Sequence, residues 1–242
     1  MQCGRMAFYA VAVTAAMILL AMLVGRLLRW PRRTVDALVL SVAFLNSGNF
    51  GLSVILFSFG EAGLQLATVF FVVTNLACNT LGAFFAARAN GGGLRAVTRV
   101  LKLPGLYAFV LAFALRALGV TAPQALLKPV ETIGRASVPI MLMMLGVQLS
   151  QTKLGERFGQ VAIGVIMRLI VGAGVALGMA LLLGLTGLAQ QVAVIQASTP
   201  TAVSSALMAI EFDADADYVS SVIFATTVLS SVSLTFLMML LG

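Results

Sequence analysis

The chain has 242 residues, of which 61% are apolar and only 10% are charged. Because soluble domains carry about 25% charged residues, this composition excludes a soluble globular protein and indicates a polytopic membrane protein. The net charge of +7 does not indicate nucleic-acid binding, since the basic residues cluster at the ends of apolar runs instead of forming a basic face with interleaved aromatic residues.

Eight apolar runs are long enough to cross a bilayer as helices, and the predicted spans are 6–24, 35–59, 64–86, 103–120, 132–149, 158–183, 189–210 and 218–241. Short turns are predicted between most of them, including 60–63 and 123–129. The basic, glycine-containing segment 88–102 predicts a flexible cytoplasmic linker. The distribution of Lys and Arg predicts that both termini are external to a plasma (inner) membrane.

The second span is interrupted by the sequence Asn46-Ser47-Gly48-Asn49-Phe50-Gly51-Leu52. Each Gly weakens a helix by about 1 kcal/mol relative to Ala, and lipid cannot satisfy the amide of Asn. The pattern favours a helix that breaks at mid-depth and lines a polar cavity, as in many secondary transporters. A tight helix crossing, where Gly allows close approach and Asn bonds a neighbour, stays open as the alternative.

A matching interruption, Gln196-Ala197-Ser198-Thr199-Pro200-Thr201-Ala202, lies in the seventh span. Pro200 cannot donate a backbone hydrogen bond. A shift of 152 positions moves Asn46 onto Ser198, Gly48 onto Pro200 and Thr74 onto Thr226. Paired interrupted spans in corresponding halves of a chain indicate a transporter site. We therefore predict that residues 46–51 and 198–201 are non-helical and lie in contact.

These residues carry a family resemblance. The stretch from Asn46 to Leu52 resembles the first crossover motif of the auxin efflux carrier family, within the bile-acid, arsenite and riboflavin transporter superfamily. Thr199-Pro200-Thr201-Ala202 resembles the second crossover motif, and the stretch from Ala136 to Pro139, leading to Leu145–Leu149, resembles the helix two before it. The chain departs from the motif at Ser53, where the family often has Pro.

The resemblance implies a fold of ten spans in two inverted five-helix repeats. Here the expected fold is an all-α polytopic membrane protein with eight transmembrane helices, two of them broken at mid-membrane, as a 3+5 remnant of that repeat. Residues 1–87 would form a first repeat that lacks two N-terminal helices. Residues 88–102 would be the linker, and residues 103–242 would form a second repeat with five helices.

The predicted function is secondary transport of small organic anions, with the substrate at the crossing of the broken helices. Half-helix N-termini favour anions, and the resemblance implies dicarboxylates or auxin-like carboxylates. Arg168, in the sixth span, is expected either to bind the substrate or to pair with a carbonyl or snorkel to the interface. The candidate substrate-binding residues are Asn46, Gly48, Asn49, Gly51, Gln196, Ser198, Thr199, Pro200 and Arg168.

The expected partners are the lipid bilayer, the small organic anion, and a coupling proton or sodium ion; a homodimer is an open alternative, and nucleic acid is not expected. Without His, and without Lys or Asp well inside a span, the chain lacks the groups that an intramembrane protease needs. We therefore expect no enzyme, no cofactor and no metal site; the acidic turn 211–217 lacks the Gly and the bidentate Glu of an EF-hand loop. A truncated, non-transporting remnant or membrane scaffold stays open as the alternative function.

Overall fold

In a computed structural model the protein is all-helical over the residues that the structure describes: 2–88, 107, 111, 114–115, 118–119, 123–150 and 157–241. Within these ranges, four helical stretches are long and apolar enough to cross a membrane, namely Cys3–Leu27, Ser47–Arg88, Phe158–Leu182 and Ala216–Leu241. The protein is therefore an integral membrane protein. The linker 88–102 and the fourth span 103–120 lie almost wholly outside the described residues.

The first part of the chain contains α1 (Gln2–Leu27), α2 (Arg32–Ala43), a π-helical turn π1 (Ser47–Leu52), α3 (Ser53–Ala77), a second π-helical turn π2 (Cys78–Gly82) and α4 (Ala83–Arg88). After α5 (Gln124–Ser150), the chain continues with α6 (Phe158–Ile166), a third π-helical turn π3 (Met167–Val171) and α7 (Gly172–Leu182). The last elements are α8 (Gly187–Ala197), α9 (Val203–Glu211) and α10 (Ala216–Leu241).

The stretch from π1 to α4 folds back on itself at Gly60. The hydroxyl oxygens of Ser47 and Thr74 are 2.9 Å apart although 27 positions separate them, whereas a straight helix would hold them about 40 Å apart. Gly60 has φ 63° and ψ −159°, a conformation that is essentially restricted to glycine. The stretch is therefore a helical hairpin, and its reversal falls in the predicted turn 60–63.

Helix α2 is the most enclosed element of the first part, because every residue from Thr34 to Ala43 is buried. The buried charged side chains in the described part of the chain are Asp36 and Arg168. Asp36 is in α2 near its N-terminal end, whereas Arg168 belongs to π3 and contacts the C-terminal end of α2. Asp36, in its second turn, is 2.9 Å from Arg88 at the end of α4. An acid near the N-terminus and a cation at the C-terminus both stabilise the helix dipole.

The prediction of a turn at 123–129 is wrong. Helix α5 begins at Gln124, so Lys128 and Pro129 are inside it, together with Pro139. Proline is tolerated within membrane helices, because neighbouring helices and local adjustments can satisfy the backbone groups that it leaves unpaired. The fifth span is therefore longer than the predicted 132–149.

Charge pairs tie the acidic turn after α9 to the rest of the protein. Arg157, just before α6, donates to Asp215 at 2.6 Å, and Arg33 donates to the carbonyl of Ala214 at 3.2 Å. The hydrogen bond that Arg157 donates to Asp215 raises the pKa of the Arg157 guanidinium. Arg33 also lies 3.9 Å from Asp213, so arginines from two other parts of the chain partly neutralise the acidic turn.

Candidate functional site

Two interrupted segments meet at the centre of the protein. Helix α2 ends at Ala43 and α8 ends at Ala197, and the chain is non-helical over 44–46 and 198–202. The backbone NH of Asn46 donates to the carbonyl of Pro200 at 2.8 Å, and the NH of Ala202 donates to the carbonyl of Phe44 at 2.9 Å. Each segment thus satisfies part of the backbone hydrogen bonding that the other loses on leaving its helix.

The prediction that 46–51 is non-helical is wrong for residues 47–51. Ser47–Leu52 forms the π-helical turn, in which the NH of Gly51 donates to the carbonyl of Asn46 at 2.9 Å. The irregular residues are instead 44–46. The glycines do not unwind the chain; they allow the wider π turn to lie against its neighbours.

Close packing accounts for both glycines of π1. A Cβ atom on Gly48 would lie 2.6 Å from the ring of Phe71, and a Cβ atom on Gly51 would lie 2.2 Å from Oε1 of Gln196. Atoms essentially never approach a Cβ this closely, so any side chain here would displace its neighbour. Gly51 therefore lets the Gln196 amide lie directly on the backbone of π1.

Buried polar side chains surround the contact between the two segments. Asn46 and Gln196 are buried, yet Nδ2 of Asn46 and both amide atoms of Gln196 have no hydrogen-bond partner among the described residues. A buried unpaired polar atom costs about 1–3 kcal/mol, so such atoms are rare and call for an explanation. The two amides offer both donors and an acceptor to a polar ligand.

Other predicted site residues use their side chains locally. The hydroxyls of Ser198 and Thr199 donate to the carbonyls of Val194 and Gln196 at 2.7 and 2.8 Å, so they hold the end of α8. Asn49 is half-buried within π1. The structure brings these residues to one region together with Asn46, Gly48, Gly51, Gln196 and Pro200.

Threonines from the flanking helices support the two segments. Thr74 of α3 bonds Ser47 of π1 at 2.9 Å. Thr226 of α10 accepts a hydrogen bond from the backbone NH of Thr201 at 3.3 Å, and Thr201 donates its own hydroxyl to the carbonyl of Ser41 at 2.6 Å. These residues are not among the predicted site residues. The signal for two of them was that the shift of 152 positions that relates the two interrupted spans also moves Thr74 onto Thr226.

Arg168 bridges the ends of both interrupted helices. It lies fully buried in π3, donates Nη1 to the carbonyl of Val42 at 2.7 Å and donates Nη2 to the carbonyl of Ala197. These contacts are the carbonyl pairing that the sequence left open as one alternative for this residue. Its contact with a substrate stays a prediction.

This chain is similar in sequence to known membrane transport proteins. The sequence matches the membrane transport protein family over residues 2–238. An uncharacterized transporter of Methanothermobacter thermautotrophicus is 33% identical over 198 residues, covering 81% of this chain and 65% of that protein. An uncharacterized transporter of Methanocaldococcus jannaschii is 28% identical over 219 residues, covering 88% of this chain and 70% of that protein. The chain thus spans about two thirds of the length of these curated relatives.

Proposed function

This chain belongs to the membrane transport protein family, that of the auxin efflux carriers, and on that premise we propose that it is a secondary transporter of small organic anions. The substrate would bind where the interrupted segments 44–46 and 198–202 meet. The observation that carries the proposal is the set of buried, unpaired amide atoms on Asn46 and Gln196 at this meeting point.

The charges around the crossing favour an anion. A helix carries about half a positive charge at its N-terminus and half a negative charge at its C-terminus. The C-terminal ends of α2 and α8 are both paired with the guanidinium of Arg168, and so their two half charges offset its single charge. The N-terminal ends of π1 and α9, which have no side-chain cap, remain uncompensated and give the site a net positive field.

The amides of Asn46 and Gln196 are the proposed polar contacts of the substrate. Gly48 and Gly51 would keep π1 close enough for a ligand to reach both segments, and Asn49 would add a third amide. Ser198, Thr199 and Pro200 would shape the opposite wall, since their local hydrogen bonds fix the end of α8. Coupling to a proton or a sodium ion would supply the driving force.

An inverted repeat would explain why the two segments meet. A shift of 152 positions carries α2 onto 184–195, close to α8. It also carries the hydrogen bonds of Thr74, to the carbonyls of Phe70 and Phe71, onto those of Thr226, to the carbonyls of Val222 and Ile223. These matches support the proposal of two interrupted helices related by a repeat. The proposed plasma membrane location with both termini external rests instead on the distribution of Lys and Arg.

The alternative is a non-transporting remnant or a membrane scaffold. An uptake assay separates the two functions directly, because a scaffold needs no binding site at the crossing.

The test is uptake by proteoliposomes that contain the purified chain. Radiolabelled indole-3-acetate and malate would be supplied under an imposed proton or sodium gradient. We expect saturable uptake of at least one anion, and its loss in Gln196→Leu. Gln191→Leu is the matched control, because Gln191 is also in α8 but donates to the carbonyl of Leu241 away from the crossing. If neither anion enters under either gradient, the transport proposal fails for this class of substrate.

A further inference from the structure

We propose that Arg168 is the positioning residue of the crossing: it holds the C-terminal ends of α2 and α8 together and acts on a ligand only through them. The last four carbonyls of a helix have no partner within that helix. Val42 is the second-to-last residue of α2, and Ala197 is the last residue of α8. The guanidinium of Arg168 therefore provides a hydrogen-bond donor to the C-terminal carbonyls of both interrupted helices.

The planar fork of arginine suits this task. Its two terminal nitrogens donate in fixed directions, to Val42 and to Ala197. A lysine ammonium has no such fork and is a point donor. Arg168 is part of the π-helical turn Met167–Val171, and π-helical turns often occur at functional sites.

The environment of Arg168 points to the carbonyls as its counter-charge. Asp36, the one buried acid in the described part of the chain, lies towards the other end of α2 and pairs with Arg88. The negative ends of two helix dipoles thus take the place of a carboxylate. Removing the guanidinium would leave two buried carbonyls unpaired and would let the helix ends separate.

The antiparallel bridge between Leu45 and Thr201 provides a direct measure of this positioning. Bridges of this kind hold Cα atoms about 4.5 Å apart, which is within the range of disulfides, roughly 4.4–6.8 Å. Cys3 and Cys78, the two native cysteines, would be replaced by Ala, and Leu45→Cys with Thr201→Cys would be introduced. The rate of disulfide formation in detergent, with a copper–phenanthroline oxidant, reports how often the segments meet.

We expect the Arg168→Met variant to form the disulfide roughly tenfold more slowly, or worse, because it loses two hydrogen bonds from a charged donor. Arg168→Lys should give an intermediate rate, and it carries the test by itself if the Met variant does not accumulate. Tyr218→Phe is the matched control: it removes a partly buried hydrogen bond from Tyr218 to the carbonyl of Gln160, 3.3 Å long, beside the acidic turn, and should leave the rate unchanged.

Equal rates with Arg, Lys and Met at position 168 would overturn the proposal, and so would an equal slowing in Tyr218→Phe, which would indicate general loosening. The measurement needs no substrate, so its outcome is separate from that of the uptake assay. If uptake is observed, an Arg168→Lys variant with an unchanged cross-linking rate but weakened indole-3-acetate affinity would assign Arg168 to direct substrate contact and would also overturn the proposal.

Discussion

Leu45 and Thr201 lie opposite each other in an isolated antiparallel bridge, although 156 positions separate them in the sequence. The flanking hydrogen bonds, between Asn46 and Pro200 and between Ala202 and Phe44, are 2.8 and 2.9 Å long. Inside a membrane, backbone groups that leave a helix must find partners within the protein. This short bridge supplies them for both segments, and it fixes which side chains face the crossing.

Asn49→Leu should abolish uptake while leaving membrane insertion intact. An apolar side chain suits lipid better than an amide does, so the loss would come from the site and not from insertion. Asn75→Leu is the control, because Asn75 is exposed on α3. Uptake and membrane abundance would be measured for both variants, and normal uptake by a well-expressed Asn49→Leu protein would contradict a substrate role for this residue.

Gly51→Ala should destabilise the protein by about 1–3 kcal/mol, the usual cost of overpacking a close contact. The new methyl group would overlap Oε1 of Gln196, which lies 2.2 Å from the Cβ position. Gly174→Ala is the matched control, since no atom outside its own helix lies within 4 Å of its Cβ position. Thermal unfolding in detergent compares the two. Equal unfolding temperatures would show that the Gln196 amide can move aside at little cost.

Thr74→Val and Thr226→Val should each lower stability by about 1–3 kcal/mol, because each leaves a buried partner without its hydrogen bond. The partners are the hydroxyl of Ser47 and the backbone NH of Thr201. Thr68→Val should cost much less, since Thr68 is exposed and bonds only the carbonyl of Leu64 in its own helix. Similar losses of uptake in the Thr74 and Thr226 variants would agree with a repeat; a loss in one variant alone would contradict equivalent roles.

Arg88→Gln should destabilise the protein more than Asp36→Asn does. The side chain of Asp36 is fully buried while that of Arg88 is 24% exposed, so only the arginine can turn towards solvent when its partner is lost. An uncompensated buried charge costs about 3–5 kcal/mol. Denaturant midpoints of the two variants would measure the difference. The reverse order would mean that Asp36 gains enough from Arg32, 4.0 Å away, to replace Arg88.

The sequence by itself determined the membrane class, the helical fold and the non-helical segment at 198–201, because bilayer length and backbone hydrogen bonding constrain a membrane chain so strongly. It also located the reversal at Gly60, where glycine permits a conformation closed to other residues. The prediction that the residues of π1 are non-helical was wrong. A glycine-rich stretch weakens an α-helix, but the sequence does not reveal that a wider helical turn can replace it. The helix over 124–129 was missed because proline does not always interrupt a membrane helix: Pro129 lies inside α5, whereas Pro200 lies in the non-helical segment after α8.

Only the tertiary structure decided which groups meet. The pairing of Asn46 with Pro200 joins segments far apart in the chain, and no local pattern encodes that register. The carbonyl partners of Arg168 come from two other helices, so a lone arginine in an apolar span could not reveal them. The same holds for the enclosed pair of Asp36 and Arg88: burial and hydrogen-bond partners depend on distances between helices, which packing alone fixes.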